Sequence, residues 1–303
     1  MSFKVAAFYK FARLPHCQTL QPLLLAAMHR HDIRGIIVMA HEGLNGTIAG
    51  QDSAVDAALR EVHDITGLTD VDVKYSLSAE MPFKRIKVRL KQEIVTIGDV
   101  AADPTETVGT YVEPSEWNAL ISDPDVILLD TRNNFEVGIG TFAGAINPQT
   151  ESFSDFPDFV REKLEANKSA RIAMFCTGGI RCEKASSFMK KEGFENVFHL
   201  KGGILKYLEV VPEKESRWSG ACFVFDERVA VEQGLKVSDF TMCHGCTHPV
   251  SAQDRKSEKY EKGVCCPHCA DSLTPEQFAS NRERQRQVEL AKQTGLRHLG
   301  PVA

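Results

Sequence analysis

Residues 172–191, IAMFCTGGIRCEKASSFMKK, decide the fold of the central part of the chain. Residues 172–175 form a short apolar run typical of a buried strand, and a helical pattern begins after the loop. Cys176 stands where the strand gives way to a turn with two glycines. In a parallel α/β sheet, this position at the carboxyl end of a strand is where functional groups collect.

Strands and helices alternate on both sides of this segment, throughout residues 112–212, which predicts a parallel α/β domain. The stretch DVILLDTR is read as a second apolar strand, and it ends at the polar residues Asp130 and Arg132. Asp130 and Cys176 are therefore expected at the same edge of the sheet. The other predicted elements are the helices Asp155–Glu165 and Lys184–Lys191, and the strand Val197–His199.

Residues 1–97 read as strand, helix, strand, strand, helix, strand, which predicts a small ferredoxin-like α+β domain. Asn45-Gly46 is interpreted as a turn signal, and RIKVRL at residues 85–90 as the last strand. Residues 98–111 contain few core-forming side chains and are read as a linker. The predicted organisation thus has two folded domains before the C-terminal region, residues 213–303.

The C-terminal region contains two C-x2-C pairs separated by nineteen residues, a spacing typical of a four-cysteine structural zinc site. The predicted ligands are Cys243, Cys246, Cys266 and Cys269. The neighbouring Cys265 is expected to point away from the metal. Four thiolates leave no open coordination position, so we assign the zinc to folding and not to catalysis. The alternative is four buried or free thiols.

The composition is that of a globular protein, with 43% hydrophobic and 25% charged residues among 303. No signal peptide or apolar run long enough to span a bilayer is recognisable, so a cytoplasmic protein with reduced, metal-bound or catalytic cysteines is expected. Two basic groups either bind a polyanion or are solvated surface. They consist of Lys84, Arg85, Lys87, Arg89 and Lys91, and of Arg282, Arg284 and Arg286.

Cys176 is predicted to be an activated thiolate. Backbone N–H groups of residues 177–181, the N-terminus of the following helix and the charge of Arg181 all favour the ionised sulfur. The alternative is an inert, packed cysteine. For Cys182 the residues leave two interpretations open: it packs at the helix start, or it is a resolving thiol for oxidised Cys176.

The strand DVILLDTR, the loop FAGAINP, the C-x4-R loop CTGGIR and the stretch HLKGGILKYLE together resemble a rhodanese domain. The resemblance implies that Cys176 carries a persulfide or is otherwise the nucleophile, and that Arg181 closes its cradle. It also implies that Asp130 and Arg132 brace the fold near the site. With four residues between cysteine and arginine, the cradle suits a sulfur-centred group better than a phosphate.

A wider set of segments resembles the rhodanese-related tRNA uridine hydroxylases, and the match covers nearly the whole chain. These segments are EGLNGTIAG, MPFKRIKVRLKQEIVTIG, CTGGIRCEK, CFVFDERVAV and the paired C-x2-C turns. The resemblance implies oxygen-dependent formation of 5-hydroxyuridine at the wobble position of tRNA. It implies molecular oxygen as co-substrate and the anticodon region as target; no organic cofactor is evident.

Two other functions are alternatives to hydroxylation. A plain sulfurtransferase working through a Cys176 persulfide would need the rhodanese-like loop, but neither the basic N-terminal domain nor the zinc region. A non-enzymatic RNA-binding or redox-sensing module would leave the activated cysteine unexplained. Within the leading hypothesis, the face formed by Arg85, Lys87 and Arg89, extended by Lys84, is expected to contact tRNA phosphates.

Overall fold

The computed structural model describes residues 2–99 and 102–294, which divide into two compact units. The first unit runs to Cys222 and includes Glu232–Lys236; the second comprises Phe223–Val231 and the chain from Val237 onward. Within the described ranges, no helix combines the length and apolar composition needed to cross a bilayer.

The N-terminal part of the first unit is a five-stranded sheet with two helices, and it confirms the ferredoxin-like prediction. The strand order is β4-β1-β3-β2-β5, with neighbouring strands antiparallel except for the parallel pair β2 and β5. Apolar side chains of both helices pack against the sheet to form one core. The elements are β1 (Phe3–Phe11), α1 (Cys17–Arg30), β2 (Arg34–Ala40), β3 (Gly43–Gly50), α2 (Asp52–Thr66), β4 (Asp72–Ser78) and β5 (Ile86–Leu90).

The interpretation of Asn45-Gly46 as a turn is wrong, because both residues lie inside β3. The chain turns instead at His41 and Glu42, between β2 and β3. Gly46 is needed for another reason: it pairs with Phe8 of β1, and an added Cβ would lie 2.8 Å from Cζ of the Phe8 ring. The glycine therefore allows close approach of a side chain rather than a reversal of the chain.

RIKVRL is a strand, but it is not the fourth strand of the ferredoxin-like order. That place belongs to β4, which the sequence analysis missed, and β5 is an added strand at the opposite edge. β4 was difficult to recognise because it is a largely exposed edge strand, with Leu77 63% exposed. Its pattern lacks the buried apolar alternation on which strand prediction depends.

The central part of the first unit contains the predicted parallel sheet, in the order β6-β10-β9-β7. A two-stranded antiparallel pair, β8 with β11, lies outside it. The elements are β6 (Thr110–Val112), α3 (Pro114–Ile121), β7 (Val126–Asp130), α4 (Asn134–Val137), β8 (Gly140–Phe142), α5 (Phe156–Lys163), β9 (Arg171–Phe175), α6 (Ile180–Lys191), β10 (Asn196–Leu200), α7 (Gly203–Val210) and β11 (Trp218–Gly220).

The helix that follows Cys176 begins earlier than predicted. It starts at Ile180 and not at Lys184, so Arg181 and Cys182 lie in its first turn. Gly179, with φ +101°, is the residue before the helix and takes a conformation that other residues rarely adopt. This tight entry directs the N-terminal end of α6 toward Cys176.

The second unit has short strands and one long helix around its cysteines. The β14 and β15 strands pair antiparallel, and α8 follows the last cysteine. Arg284 of α8 donates hydrogen bonds to the carbonyl oxygens of His244 (2.8 Å) and Gly263 (3.1 Å), so one side chain joins the helix to the first cysteine turn and to the segment just before the second. β12 (Cys222–Phe223) crosses the boundary between the units, and the other elements are β13 (Ala230–Val231), β14 (Thr241–Met242), β15 (Pro249–Val250) and α8 (Pro275–Gln293).

Candidate functional site

Cys176 follows β9 directly, and its side chain is fully buried, with 0% exposure. The backbone N–H of Gly179 donates a hydrogen bond to its sulfur at 3.1 Å. On the other side of the loop, the N–H of Ile204 donates to the Cys176 carbonyl at 2.9 Å. The start of α7 therefore holds the backbone of Cys176, while the N–H of Gly179 binds its sulfur.

The surroundings of Cys176 favour the thiolate. Burial raises the pKa of the thiol, but a hydrogen bond from the Cys182 side chain, the charge of Arg181 and backbone N–H groups outweigh it, and the pKa falls from 9.0 to about 6. Burial and the neighbouring Cys176 raise the pKa of Cys182 well above 9.0. The negative charge thus resides on Cys176 and the proton on Cys182, whose sulfur also lies 3.5 Å from Oγ1 of Thr131.

Arg181 is held by Glu136, a residue that the sequence analysis missed. The two guanidinium nitrogens donate to the two carboxylate oxygens at 2.6 and 2.8 Å, and Nη2 also donates to Oγ1 of Thr177 at 3.1 Å. Burial raises the pKa of Glu136, but the charge and hydrogen bonds of Arg181, the charge of Arg132 and the N–H of Asn133 together outweigh it, so the pKa falls below its usual value. The only local signal was the pattern from Asn133 to Glu136, which predicts a helix cap and nothing about Arg181.

Asp130 and Arg132 form a fully buried ion pair at the end of β7. The Arg132 guanidinium donates to both carboxylate oxygens, at 2.8 and 2.6 Å, and to the carbonyl oxygens of Gly140 (2.6 Å) and Glu136 (3.3 Å). The pair reaches the cysteine loop through the backbone of α4. The Asp130–Arg132 pair therefore holds the backbone of Glu136 in place.

Three side chains of the N-terminal domain reach the first turn of α6. The hydroxyl of Tyr9 donates to Glu183 Oε1 at 2.7 Å. The ammonium group of Lys184 pairs with carboxylates of Glu42 and Glu93, the latter at 2.6 Å. The sequence carries no signal for these contacts, because the partners lie far apart in the chain.

The four cysteines of the C-x2-C pairs come together in one cluster that could hold a metal ion, with their sulfur atoms within 4.8 Å of one another. The Cys243–Cys269, Cys246–Cys266 and Cys266–Cys269 sulfur separations are 3.9, 3.7 and 3.9 Å. A tetrahedral zinc with bonds of about 2.3 Å requires sulfur separations of about 3.8 Å. Cys265 lies outside the cluster and donates to the carbonyl oxygen of Lys259 at 3.4 Å.

The basic side chains of β5 share one face. Ile86 and Val88 point into the core, whereas Arg85 and Arg89 are exposed and Lys87 is half-buried. Lys84 is exposed just before the strand. Burial and then the charges of Arg85 and Arg89 lower the pKa of Lys87, as expected where like charges lie close together. Within the described part of the chain, none of Arg85, Lys87 and Arg89 forms an ion pair.

The second basic group differs in this respect. Arg282 pairs with Glu261 at 2.6 Å, and Arg286 pairs with Glu283 at 2.7 Å. Arg284 donates hydrogen bonds to carbonyl oxygens in the first cysteine turn and just before the second. These arginines support the second unit and its surface ion pairs, which disfavours the interpretation of this group as a polyanion site.

Comparison with known proteins gives two domain matches and close full-length relatives. The UPF0176 acylphosphatase-like domain family matches residues 3–94, and the Rhodanese-like domain family matches residues 113–209. The tRNA uridine(34) hydroxylase of Teredinibacter turnerae is 52% identical over 301 residues, covering 99% of this chain and 94% of that protein. The tRNA uridine(34) hydroxylase of Rhizobium leguminosarum bv. trifolii is 52% identical, covering 98% of this chain and 96% of that protein.

Among solved structures, the Rhodanese-like domain from an Anabaena sp. protein is 21% identical to this chain, with a TM-score of 0.31. It covers 36% of this chain and 78% of that domain.

The ionisation of Cys176 can be measured directly. The ultraviolet thiolate signal that disappears in Cys176→Ser should reach half its maximum near pH 6. In Arg181→Ala the midpoint should rise, because a counter-charge is lost and the carboxylate of Glu136 is left unpaired nearby. It should stay below that of an ordinary thiol, since Gly179 and Cys182 still donate hydrogen bonds.

Arg161→Ala is the matched control, because it removes the same charge from an exposed ion pair with Glu192. Its midpoint should equal that of the unaltered protein. A midpoint that does not move in Arg181→Ala would contradict the assigned electrostatics.

Proposed function

Because this chain belongs to the tRNA uridine(34) hydroxylase family, we propose that it converts the wobble uridine of tRNA to 5-hydroxyuridine with Cys176 as its reactive group. The observation that carries the assignment of Cys176 is a buried sulfur that accepts the N–H of Gly179 beside the charge of Arg181. A thiolate stabilised in this way is a soft nucleophile at neutral pH. The names of the relatives favour hydroxylation over sulfur transfer alone.

Two chemical roles for Cys176 remain in this proposal. The thiolate can add to C6 of the uracil ring, which makes C5 electron-rich enough to attack an oxygen donor. Alternatively, Cys176 is itself oxidised to a sulfenic or persulfide-derived species that transfers oxygen. Before either reaction Arg181, the Gly179 N–H and the Cys182 thiol stabilise the negative charge on the sulfur. Molecular oxygen is the proposed co-substrate: one oxygen atom enters the base and the other leaves as water, with the two electrons supplied by a pair of thiols that becomes a disulfide.

The wobble base is proposed to approach over Gly178. This glycine is half-buried at the tip of the loop, and a Cβ added to it would meet no atom within 4 Å. The Cys176 sulfur has no exposed surface, so the base and the loop must adjust for contact. Bases of a single-stranded anticodon loop can be splayed into a pocket without opening a duplex, which favours the anticodon region as the target.

We propose that tRNA phosphates bind the basic face of β5 and that the four-cysteine cluster binds one structural zinc. Residues 1–97 are proposed to bind tRNA, 112–212 to carry the reaction and 213–303 to hold the metal. The predicted linker, residues 98–111, is too long at its end, because Thr110 and Tyr111 belong to β6, and the C-terminal region begins too early, because β11 belongs to the first unit. A tRNA substrate also favours a cytoplasmic location.

Replacement of the reactive sulfur tests the function. Cys176→Ser should abolish 5-hydroxyuridine in tRNA from cells in which the variant is the only hydroxylase, while leaving the fold and tRNA affinity nearly intact. The serine hydroxyl is similar in shape but is not ionised near neutral pH. Nucleoside mass spectrometry of that tRNA is the measurement, and normal hydroxylation by Cys176→Ser would refute the assignment.

Cys182→Ser separates the two roles left open for that residue. A strong loss of hydroxylation would support a resolving or relay thiol, and full activity would leave Cys182 as a packing and hydrogen-bonding residue. Thiosulfate sulfurtransferase activity should be measured in parallel. Efficient sulfur transfer by a protein that never alters tRNA would favour the sulfurtransferase alternative.

The basic face is tested by the combined change Arg85→Gln, Lys87→Gln and Arg89→Gln. It should weaken tRNA binding and reduce the dependence of log affinity on log salt by roughly 0.7 to 0.9 for each lost phosphate contact. The combined control Arg161→Gln, Arg282→Gln and Arg286→Gln removes the same charge from surface ion pairs. An equal salt dependence in the two variants would show that the face of β5 is ordinary solvated surface and does not bind tRNA phosphates.

The metal is tested by elemental analysis. One zinc per chain is expected, and Cys269→Ser should lose most of it, whereas Cys265→Ser should keep it because that sulfur lies outside the cluster. Metal removal should make residues after Val237 more sensitive to proteolysis, since binding energy in such sites is folding energy. Carefully purified protein without metal would refute this assignment.

A further inference from the structure

We propose that Tyr9, Glu42 and Glu93 are positioning residues for the cysteine loop, so that the N-terminal domain takes part in catalysis as well as in tRNA binding. The inference rests on the proposed function, in which Cys176 is the reactive group. It concerns a different set of contacts, those between the N-terminal domain and the first turn of α6.

The first contact is the hydrogen bond from Tyr9 to Glu183. The Tyr9 side chain belongs to β1, is 7% exposed, and donates its hydroxyl to Glu183 Oε1 at 2.7 Å. The same hydroxyl lies against the loop, because a Cβ added to Gly179 would be only 2.9 Å from it. Gly179 is the residue whose N–H is bonded to the Cys176 sulfur. Tyr9 therefore touches the loop at the group that stabilises the thiolate.

The second contact is the ion-pair cluster around Lys184. This lysine is 1% exposed and lies between the carboxylates of Glu42 and Glu93. Both carboxylates are themselves fixed by backbone donors. Glu42 accepts the N–H of Ile94 at 2.7 Å, and Glu93 accepts the N–H of Gly98 at 3.1 Å. A buried ammonium held on two sides has no freedom to move without losing its counter-charges.

These contacts bear on chemistry because they hold the turn that supplies the groups around the sulfur. Those groups are the N–H of Gly179 and the side chains of Arg181 and Cys182. Glu183 and Lys184 are the next two residues after Cys182. Reacting groups held away from their working geometry by about 1 Å can lose a hundredfold in rate. Anchoring α6 from the N-terminal domain thus keeps the Gly179 N–H and the Cys182 thiol directed at Cys176 and the charge of Arg181 close to it.

Tyr9→Phe is the decisive variant, because it removes the donor and keeps the packed ring. We expect tRNA affinity to be unchanged, 5-hydroxyuridine formation to fall about fivefold, and the midpoint of the Cys176 thiolate titration to rise by about 0.5 to 1 unit. Glu93→Gln should change the same two quantities in the same direction. Circular dichroism and the thermal midpoint of each full-length variant verify that it is folded.

Asp56→Asn is the matched control. It weakens the 2.7 Å pair with Lys4, which joins α2 and β1 in the same domain without contacting the loop. The proposal is wrong if Tyr9→Phe matches this control in both hydroxylation and titration, or if it lowers only tRNA affinity. Hydroxylation by Cys176→Ser would instead refute the proposed function, and the titration of Tyr9→Phe would still decide whether the loop is positioned.

Discussion

A sulfur atom with no exposed surface carries a negative charge only if protein groups replace the water that it has lost. This constraint governs the region around Cys176. The replacement consists of the N–H of Gly179, the thiol of Cys182 and the charge of Arg181. All three lie in the turn at Gly179 and the first turn of α6 that follows it. The geometry of that turn, more than the presence of a cysteine, lowers the pKa of the buried thiol.

The buried charge of Arg181 is tolerated because the carboxylate of Glu136 neutralises it. Glu136 binds both guanidinium nitrogens, and the neighbouring pair of Asp130 and Arg132 holds the backbone on which Glu136 lies. Acidic and basic groups therefore alternate from the end of β7 to the loop. Removing one member would leave a buried charge without its partner, which is more costly than removing a complete pair. The Asp130–Arg132 pair at the sheet edge therefore affects the charge beside Cys176 through Glu136 and Arg181.

The N-terminal domain has a charged surface at β5 and a set of buried contacts with α6, and these two features depend on different interactions. Its β5 strand presents a cationic face at the surface, where the charges of Arg85 and Arg89 act on their surroundings over a long range. Three residues after β5 ends at Leu90, the chain supplies Glu93 to the buried cluster around Lys184. The segment from β5 to Glu93 therefore contributes both to the cationic surface and to the ion pairs that hold α6. In the second unit, Arg284 joins α8 to the first cysteine turn and to the segment just before the second, and so connects the four-cysteine cluster to the long helix.

The sequence by itself determined the features that depend on residues close together in the chain. The C-x2-C turns, the strand before Cys176 and the parallel α/β order were predictable because each is specified by local spacing or periodicity. Local signals failed at Asn45-Gly46 and at β4, where a ring from another strand and an exposed edge decided the outcome. Only the tertiary structure decided that Glu136 meets Arg181, 45 residues away, and that Tyr9 meets Glu183, 174 residues away. No local pattern encodes such partners, because packing of separate elements brings their side chains together.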